Sequence, residues 1–192
     1  MGRYLLSYTA ASIRRAECVI LAHEYAKDHD WARVRRSCID DDILMLRLES
    51  SRKRVSSELI KRMGNLDGDA VTAIATISDS RIQSALLWIA ICRTYEFVRD
   101  FTEQVVTSRW VEAKGDLPLG AYETFFEESS ELHPELARLS ESTRPRLRNQ
   151  LLQMLREMEF MDGANQLKPY LLPDGAARFV GTVERAYFPT MV

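Results

Sequence analysis

The chain has 192 residues, 46% hydrophobic and 28% charged, with 26 Lys and Arg against 28 Asp and Glu for a net charge of −2. A chain of this length buries a sizeable core without disulfides or metals. Its composition is that of a soluble globular protein, and no global basic charge advertises a nucleic-acid partner.

Helical periodicity dominates from the start. Ala10, Ile13, Ala16, Glu17, Ile20, Leu21 and Tyr25 recur at three- and four-residue spacing, which predicts a helix from about Thr9 to Lys27 with Ser7 or Thr9 as its N-cap. A short helix follows Asp30, with Trp31, Val34 and Cys38 facing inward. The stretch "CIDDDILMLRLESS" is irregular. A helix over Ser50–Met63 follows, with Val55, Leu59, Ile60 and Met63 inward and Gly64-Asn65 closing it. Asp67 caps a short apolar helix, "AVTAIATI". Asp79 caps a long one from Ser80 to about Val111, with a possible break near Cys92 or Arg93, and its first half is apolar nearly all round, as a central core helix is.

Gly115–Gly120, "GDLPLG", punctuates the chain. We therefore expect an N-terminal helical region, 1–115, and a C-terminal helical region, 116–192, packed as one globular unit. The second region starts with the helix "AYETFFEESSEL", ended by His133-Pro134, then the short "PELARL" and a helix over 142–159. The tail carries Gly163, Pro169, Pro173 and Gly175 and reads as a loop or short hairpin, followed by a last helix, "GAARFVGTVERAYF". No alternating strand pattern occurs, so the expected class is all-α.

Local charge is more informative than the total. Between Arg47 and Arg62 stand Arg47, Arg52, Lys53, Arg54, Lys61 and Arg62 against Glu49 and Glu58, whereas Glu123, Glu127, Glu128, Glu131, Glu135 and Glu141 face only Arg138 between Glu123 and Glu141. In "STRPRLRNQLLQMLRE" Ser142 is a suitable N-cap and Pro145 sits in the first turn, where its missing N–H is not needed. At 3.6 residues per turn, Leu147, Leu151, Met154, Leu155 and Met158 form one stripe. Arg146, Asn149, Gln153 and Arg156 cluster opposite, with Arg144 and Arg148 flanking the start. Arg pairs with guanine edges, Asn and Gln with adenine edges, and Arg neutralises phosphates. A short helix and turn precede it, in the order of a helix-turn-helix. Glu157 and Glu159 at the far end are poor phosphate neighbours, and an ordinary solvated helix face remains the competing reading.

The helix over 50–63 shows the same division. Lys53, Arg54, Ser57 and Lys61 point away from its stripe, and Arg52 lies near the edge. The preceding short helix carries Arg33, Arg35 and Arg36. The connection between them is long for a strict helix-turn-helix, which turns in about 3–4 residues.

No catalytic pattern emerges. His23, His29 and His133 lack partners at ligand spacing, and Asp40–Asp42 reads as capping and solvated loop chemistry. P-loop, dinucleotide-binding, GxSxG and HExxH motifs do not occur in the chain. Cys18, Cys38 and Cys92 form no CxxC pair and read as reduced thiols. The longest apolar run, Ala85 to Cys92, is far short of the roughly 20 residues that span a bilayer. We expect a cytoplasmic monomer without membrane contact, catalytic residues, metal or cofactor.

Taken together, "YLLSYTAASI", "SSRKRVSSELIKRMGNL", "LLWIAICRTYEFVRDFTEQVV", "YETFFEE" and "LSESTRPRLRNQLLQMLREMEFMD" resemble, in order and over nearly the whole chain, the BrxA family of bacterial BREX phage-exclusion systems. The resemblance implies an all-helical, non-enzymatic BREX component that binds double-stranded DNA through helix-turn-helix-like elements. Methyltransferase and ATPase work would fall to other subunits. The helices over 50–63 and 142–159 match the segments where such elements would sit. Lys53, Arg54, Ser57, Lys61, Arg144, Arg146, Arg148, Asn149, Gln153 and Arg156 are the candidate DNA-contacting residues. They would act mainly on phosphates, with weak sequence preference. Two rival readings stay open: a module that docks other BREX subunits, and an RNA-binding helical bundle resembling antitermination factors.

Overall fold

Side-chain caps and breaks in backbone conformation set the helix boundaries. The computed structural model describes residues 2–189, and among these the fold is all-α. In chain order the helices are α1 (Arg15–Tyr25), α2 (Trp31–Asp40), α3 (Glu49–Met63), α4 (Gly68–Thr76), α5 (Ser80–Thr94), α6 (Glu96–Phe101), α7 (Ser108–Val111), α8 (Leu119–Leu132), α9 (Pro134–Ala137), α10 (Thr143–Glu157) and α11 (Asp174–Ala177). A π-helical stretch, Thr102–Thr107, joins α6 to α7, and 3-10 turns cover Ser7–Ala10 and Val183–Tyr187.

Three aspartates cap helices, Asp67 and Asp79 as the sequence suggests. Asp30 accepts from Ala32 N at 2.7 Å, Asp67 from Ala70 N at 2.7 Å and Asp79 from Arg81 N at 2.8 Å, each satisfying an orphan first-turn donor. Other boundaries differ. The first helix starts at Arg15 rather than Thr9, because Arg14 adopts a left-handed conformation, φ 53°. The inward face rotates accordingly: Cys18, Leu21 and Ala22 are buried, whereas Ala16 and Ile20 are exposed. Gly64 closes α3 in ordinary right-handed backbone, φ −66°, and Asn65 supplies the cap by donating its side-chain amide to Lys61 O at 3.1 Å. The long helix from Ser80 does break, at Tyr95, two residues past Arg93: its extended backbone (φ −122°, ψ 94°) separates α5 from α6. The C-terminal hairpin reduces to isolated antiparallel bridges, one of them Met161 with Leu167. The last helix divides into α11 and the 3-10 turn Val183–Tyr187 on either side of Gly181.

The chain forms two compact units that interleave in sequence. One comprises Ala10–Thr94 and Pro173–Val180. Its centre is α5, where every residue from Ala85 to Cys92 is buried and Trp88 is wholly enclosed. Around it α1 packs on α4, α2 on α3, and α3, α4 and α11 on α5. The other unit comprises the residues up to Thr9, Tyr95–Leu172 and the chain from Gly181 on. Its core is aromatic: Phe97 meets Tyr4, Phe125, Tyr122 and Phe126 at ring-centroid distances of 5.3–6.1 Å, mostly edge to face. No helix among the described residues is long and apolar enough to cross a membrane.

Candidate nucleic-acid interface

The second basic helix, α10, divides into faces as its wheel predicts. Leu147, Leu151, Met154, Leu155 and Met158 are at most 2% exposed, and Arg146, Asn149, Gln153 and Arg156 are exposed. Its start differs. Ser142 has helical backbone and makes no cap bond, and its hydroxyl meets Ser140 Oγ at 3.1 Å. Thr143, the first residue of α10, also meets that hydroxyl, at 2.8 Å. The first-turn donors of α10 are met by backbone instead: Thr143 N and Arg144 N donate to Ser140 O at 2.9 and 3.4 Å, and Pro145 has no N–H.

The polar face is partly committed within the chain. Arg148 reaches Glu123 of α8 at 2.6 Å, and the Arg144 guanidinium lies 5.0 Å from the centre of the Phe126 ring. Gln153 donates to Glu157 at 2.8 Å, and Arg156 donates to Asn165 Oδ1 at 2.7 Å. Arg146 and Asn149 have no side-chain partner among the described residues. The elements before α10 depart from a standard helix-turn-helix. α9 is a single turn, Pro134–Ala137, and the longer α8 is the helix linked to α10 by the Arg148 and Arg144 contacts. Glu127, Glu128 and Glu131 of α8 are exposed.

The first basic helix, α3, lies in the other unit and buries the expected stripe, Val55, Leu59, Ile60 and Met63. It also buries Ser56, Glu58 and Arg62. Arg62 donates to Glu58 Oε1 at 3.2 Å, to Ser12 O at 2.6 Å and to Ala11 O at 2.7 Å. That buried arginine ties α3 to the segment before α1. It belongs to the core, although its sequence neighbourhood reads as basic surface. The one signal for it is its i,i+4 spacing from Glu58.

On the outer side, Lys53 pairs with Glu49 at 2.6 Å, a bond that holds the Glu49 carboxyl below its ordinary range and the Lys53 ammonium above its own. Lys61 pairs with Glu58 at 2.8 Å. Ser57 is half-buried and accepts from Arg35 of α2 at 3.0 Å, which fixes α2 against α3. Arg33 is turned back toward the end of α1, onto Glu24 and Asp28, and Arg36 lies 4.0 Å from Asp30. Arg54 is exposed and has no side-chain partner among the described residues. Each helix therefore presents its own cationic face. Within the unit of α3 the fold gathers Lys53, Arg54, Ser57 and Lys61, and within the unit of α10 it gathers Arg144, Arg146, Arg148, Asn149, Gln153 and Arg156. The exposed pairs among these, Lys53 with Glu49 and Arg36 with Asp30, contribute only about 0–1 kcal/mol each. A phosphate competes easily for their cations.

Among the described residues, no three His, Cys, Asp or Glu side chains are grouped to hold a metal ion. Cys18, Cys38 and Cys92 are buried thiols outside any disulfide.

A crystal structure of an uncharacterized protein from Magnetospirillum magneticum superposes with a TM-score of 0.78 over 97% of this chain and 96% of its own, at 18% identity, and so shares the fold. The protein named "BREX protein BrxA" of Escherichia coli O9:H4 (strain HS) is 29% identical over 164 residues, spanning 84% of this chain and 76% of that one. The BrxA family model matches residues 2–180. With that match running nearly end to end, the chain belongs to the BrxA family of bacterial BREX phage-exclusion systems.

Proposed function

We propose that this protein serves BREX phage defence as a non-enzymatic component that binds double-stranded DNA, mainly through phosphate contacts and with weak sequence preference. The observation that carries the reading is the outer face of α10. Arg146 and Asn149 stand exposed, without a side-chain partner among the described residues, over a stripe that is buried. Exposed arginines near the positive end of the helix dipole favour an anion. Asn149 and Gln153 have the groups to reach base edges, but two amides on one helix support little sequence discrimination. The face of α3, with Lys53, Arg54 and Lys61, adds a second place for phosphate contact.

The test is a titration of duplex DNA at several salt concentrations with wild type and an Arg146→Glu, Arg156→Glu double variant. We expect wild-type affinity to fall steeply with salt through counterion release and the variant to bind far more weakly. Unchanged binding by a folded variant would remove α10 from the interface. Absence of binding by wild type at low salt would sink the reading.

One observation favours a second reading, a docking module for other BREX subunits. Glu127, Glu128 and Glu131 on α8 form an exposed acidic row that would repel phosphate and suit a basic protein partner. Copurification with BREX subunits that survives nuclease treatment, together with no binding to naked DNA, would select it.

A further inference from the structure

One polar contact ties α2 to α3 on their outer side. Arg35 of α2 donates through a terminal guanidinium nitrogen to Ser57 Oγ of α3 at 3.0 Å. Arg35 is exposed and pairs with no carboxylate among the described residues. Arg54 stands three residues before Ser57, one turn back on α3, and is likewise exposed without a side-chain partner. One guanidinium is therefore bonded to Ser57, and a second rises a turn away.

The carboxylates of this helix pair are engaged or turned elsewhere. Glu49 holds Lys53 at 2.6 Å, and Asp42 holds Arg52 at 3.1 Å. Glu58, one turn beyond Arg54, is 5% exposed and shared by Arg62 and Lys61 at 3.2 and 2.8 Å. Asp30 lies 4.0 Å from Arg36. Asp40 and Asp41 stand at the loop end of α2, more than a turn beyond Arg35. At about 100° per residue, Asp30, Asp40 and Asp41 all point roughly 120–140° away from Arg35. The surface around Ser57 is thus cationic without a counter-ion of its own, and like charges held this close repel until an anion joins them. Guanidinium forks match the oxygens of a phosphate, and Arg35 spends only one of its N–H donors on Ser57.

We propose that Arg35 and Arg54 clamp one phosphate of a DNA duplex from α2 and α3, with Ser57 as the positioning residue that holds the Arg35 guanidinium. This rests on the DNA-binding reading above. It adds α2 to the interface and makes the helix pair, rather than α3 alone, the phosphate-binding element of its unit. An arginine already held in place loses less rotamer freedom on binding than a free one.

The test titrates duplex DNA at several salt concentrations with the full chain, beside urea unfolding of each variant. Arg35→Ala should lower the slope of log affinity against log salt by about 0.9, and adding Arg54→Ala should lower it by about 0.9 again. Arg35→Lys should keep the slope yet bind more weakly, because an ammonium lacks the fork. Ser57→Ala should weaken binding about tenfold, the scale of one hydrogen bond, with the slope unchanged. In an Arg35→Ala background it should have no further effect. Arg81→Ala removes the same charge from α5 and should leave the slope alone. Inorganic phosphate in excess, at constant ionic strength, should not displace the duplex. A wild-type slope in Arg35→Ala, an equal drop in Arg81→Ala, or a Ser57→Ala effect that persists without Arg35 overturns the clamp and leaves the DNA reading intact. So do equal losses of urea stability in Arg35→Ala and Ser57→Ala with unchanged duplex binding, which reduce the contact to a structural tie. Displacement by inorganic phosphate that vanishes in Arg35→Ala overturns the duplex as the occupant in favour of a free phosphate compound. No duplex binding by wild type at low salt overturns both readings.

Discussion

Replacing Arg62 with Leu should destabilise the unit that carries α3 far more than removing any exposed charge of that helix. Arg62 is 2% exposed and its partner Glu58 5%. The guanidinium satisfies the carboxylate at 3.2 Å and the carbonyls of Ser12 and Ala11 at 2.6 and 2.7 Å. Removing one partner of a buried ion pair costs about 3–5 kcal/mol, and each carbonyl left without a donor adds about 1–3 kcal/mol. Two effects offset this. Glu58 keeps Lys61 at 2.8 Å on its more open side, and Leu restores apolar volume. The balance is a loss of about 4 kcal/mol, a large share of the total stability of a domain. Removing both charges, Glu58→Leu with Arg62→Leu, should cost less than the sum of the single losses, by at least about 1 kcal/mol, because no uncompensated carboxylate is left behind. Urea titration followed by tryptophan fluorescence measures this. Trp31 and Trp88 report the unit of α3, and a Trp110→Phe background silences the other, which matters because a chain with two units need not unfold in one step. A loss below about 1 kcal/mol for Arg62→Leu, or strict additivity in the cycle, would refute the reasoning.

Other outcomes follow from the same contacts. Arg54→Ala and Arg146→Ala, at the two uncommitted arginines, should each reduce the slope of log affinity against log salt by about 0.9, whereas Gln153→Ala should leave it unchanged; one common slope for all variants would remove these phosphate assignments. Asp67→Ala, which deletes the cap bond to Ala70 N, should cost about 1 kcal/mol, and a similar loss for the neighbouring, non-capping Asp69→Ala would show that the bond is not responsible. Burial pushes the Cys18 thiol up to about 12 and the Cys38 thiol up to about 11. A thiol whose folded pKa lies above its unfolded value of about 8.5 contributes stability fully below that value and loses it as pH rises toward the folded one. Unfolding free energy should therefore fall between about pH 8.5 and 11, and a Cys18→Ala, Cys38→Ala variant should show a shallower fall. Superimposable pH profiles would count against the thiols as its source.

What could be read without the fold was whatever depends on near neighbours in the chain. The all-α class, the caps at Asp67 and Asp79, the enclosed α5 and the apolar stripes of α3 and α10 all follow from 3.6-residue periodicity and local hydrogen bonding. The separation of Arg146, Asn149, Gln153 and Arg156 from the buried stripe of α10 follows in the same way. Partner choice over long sequence distance lay outside that reach. Arg62 and Lys61 are adjacent and look alike in sequence, yet one is enclosed by carbonyls some fifty residues earlier and the other reaches the surface. The left-handed turn at Arg14 and the return of Pro173–Val180 to the unit of α5 are likewise set by packing, which overrides weak local preference. The same holds for the charged faces. The i,i+4 and i,i+3 spacings of α3 already pair Lys53 with Glu49 and Lys61 with Glu58, but only the tertiary structure holds Arg148 of α10 on Glu123 of α8, twenty-five residues earlier. A side chain's partner on another helix is a property of the folded surface, not of the order of residues.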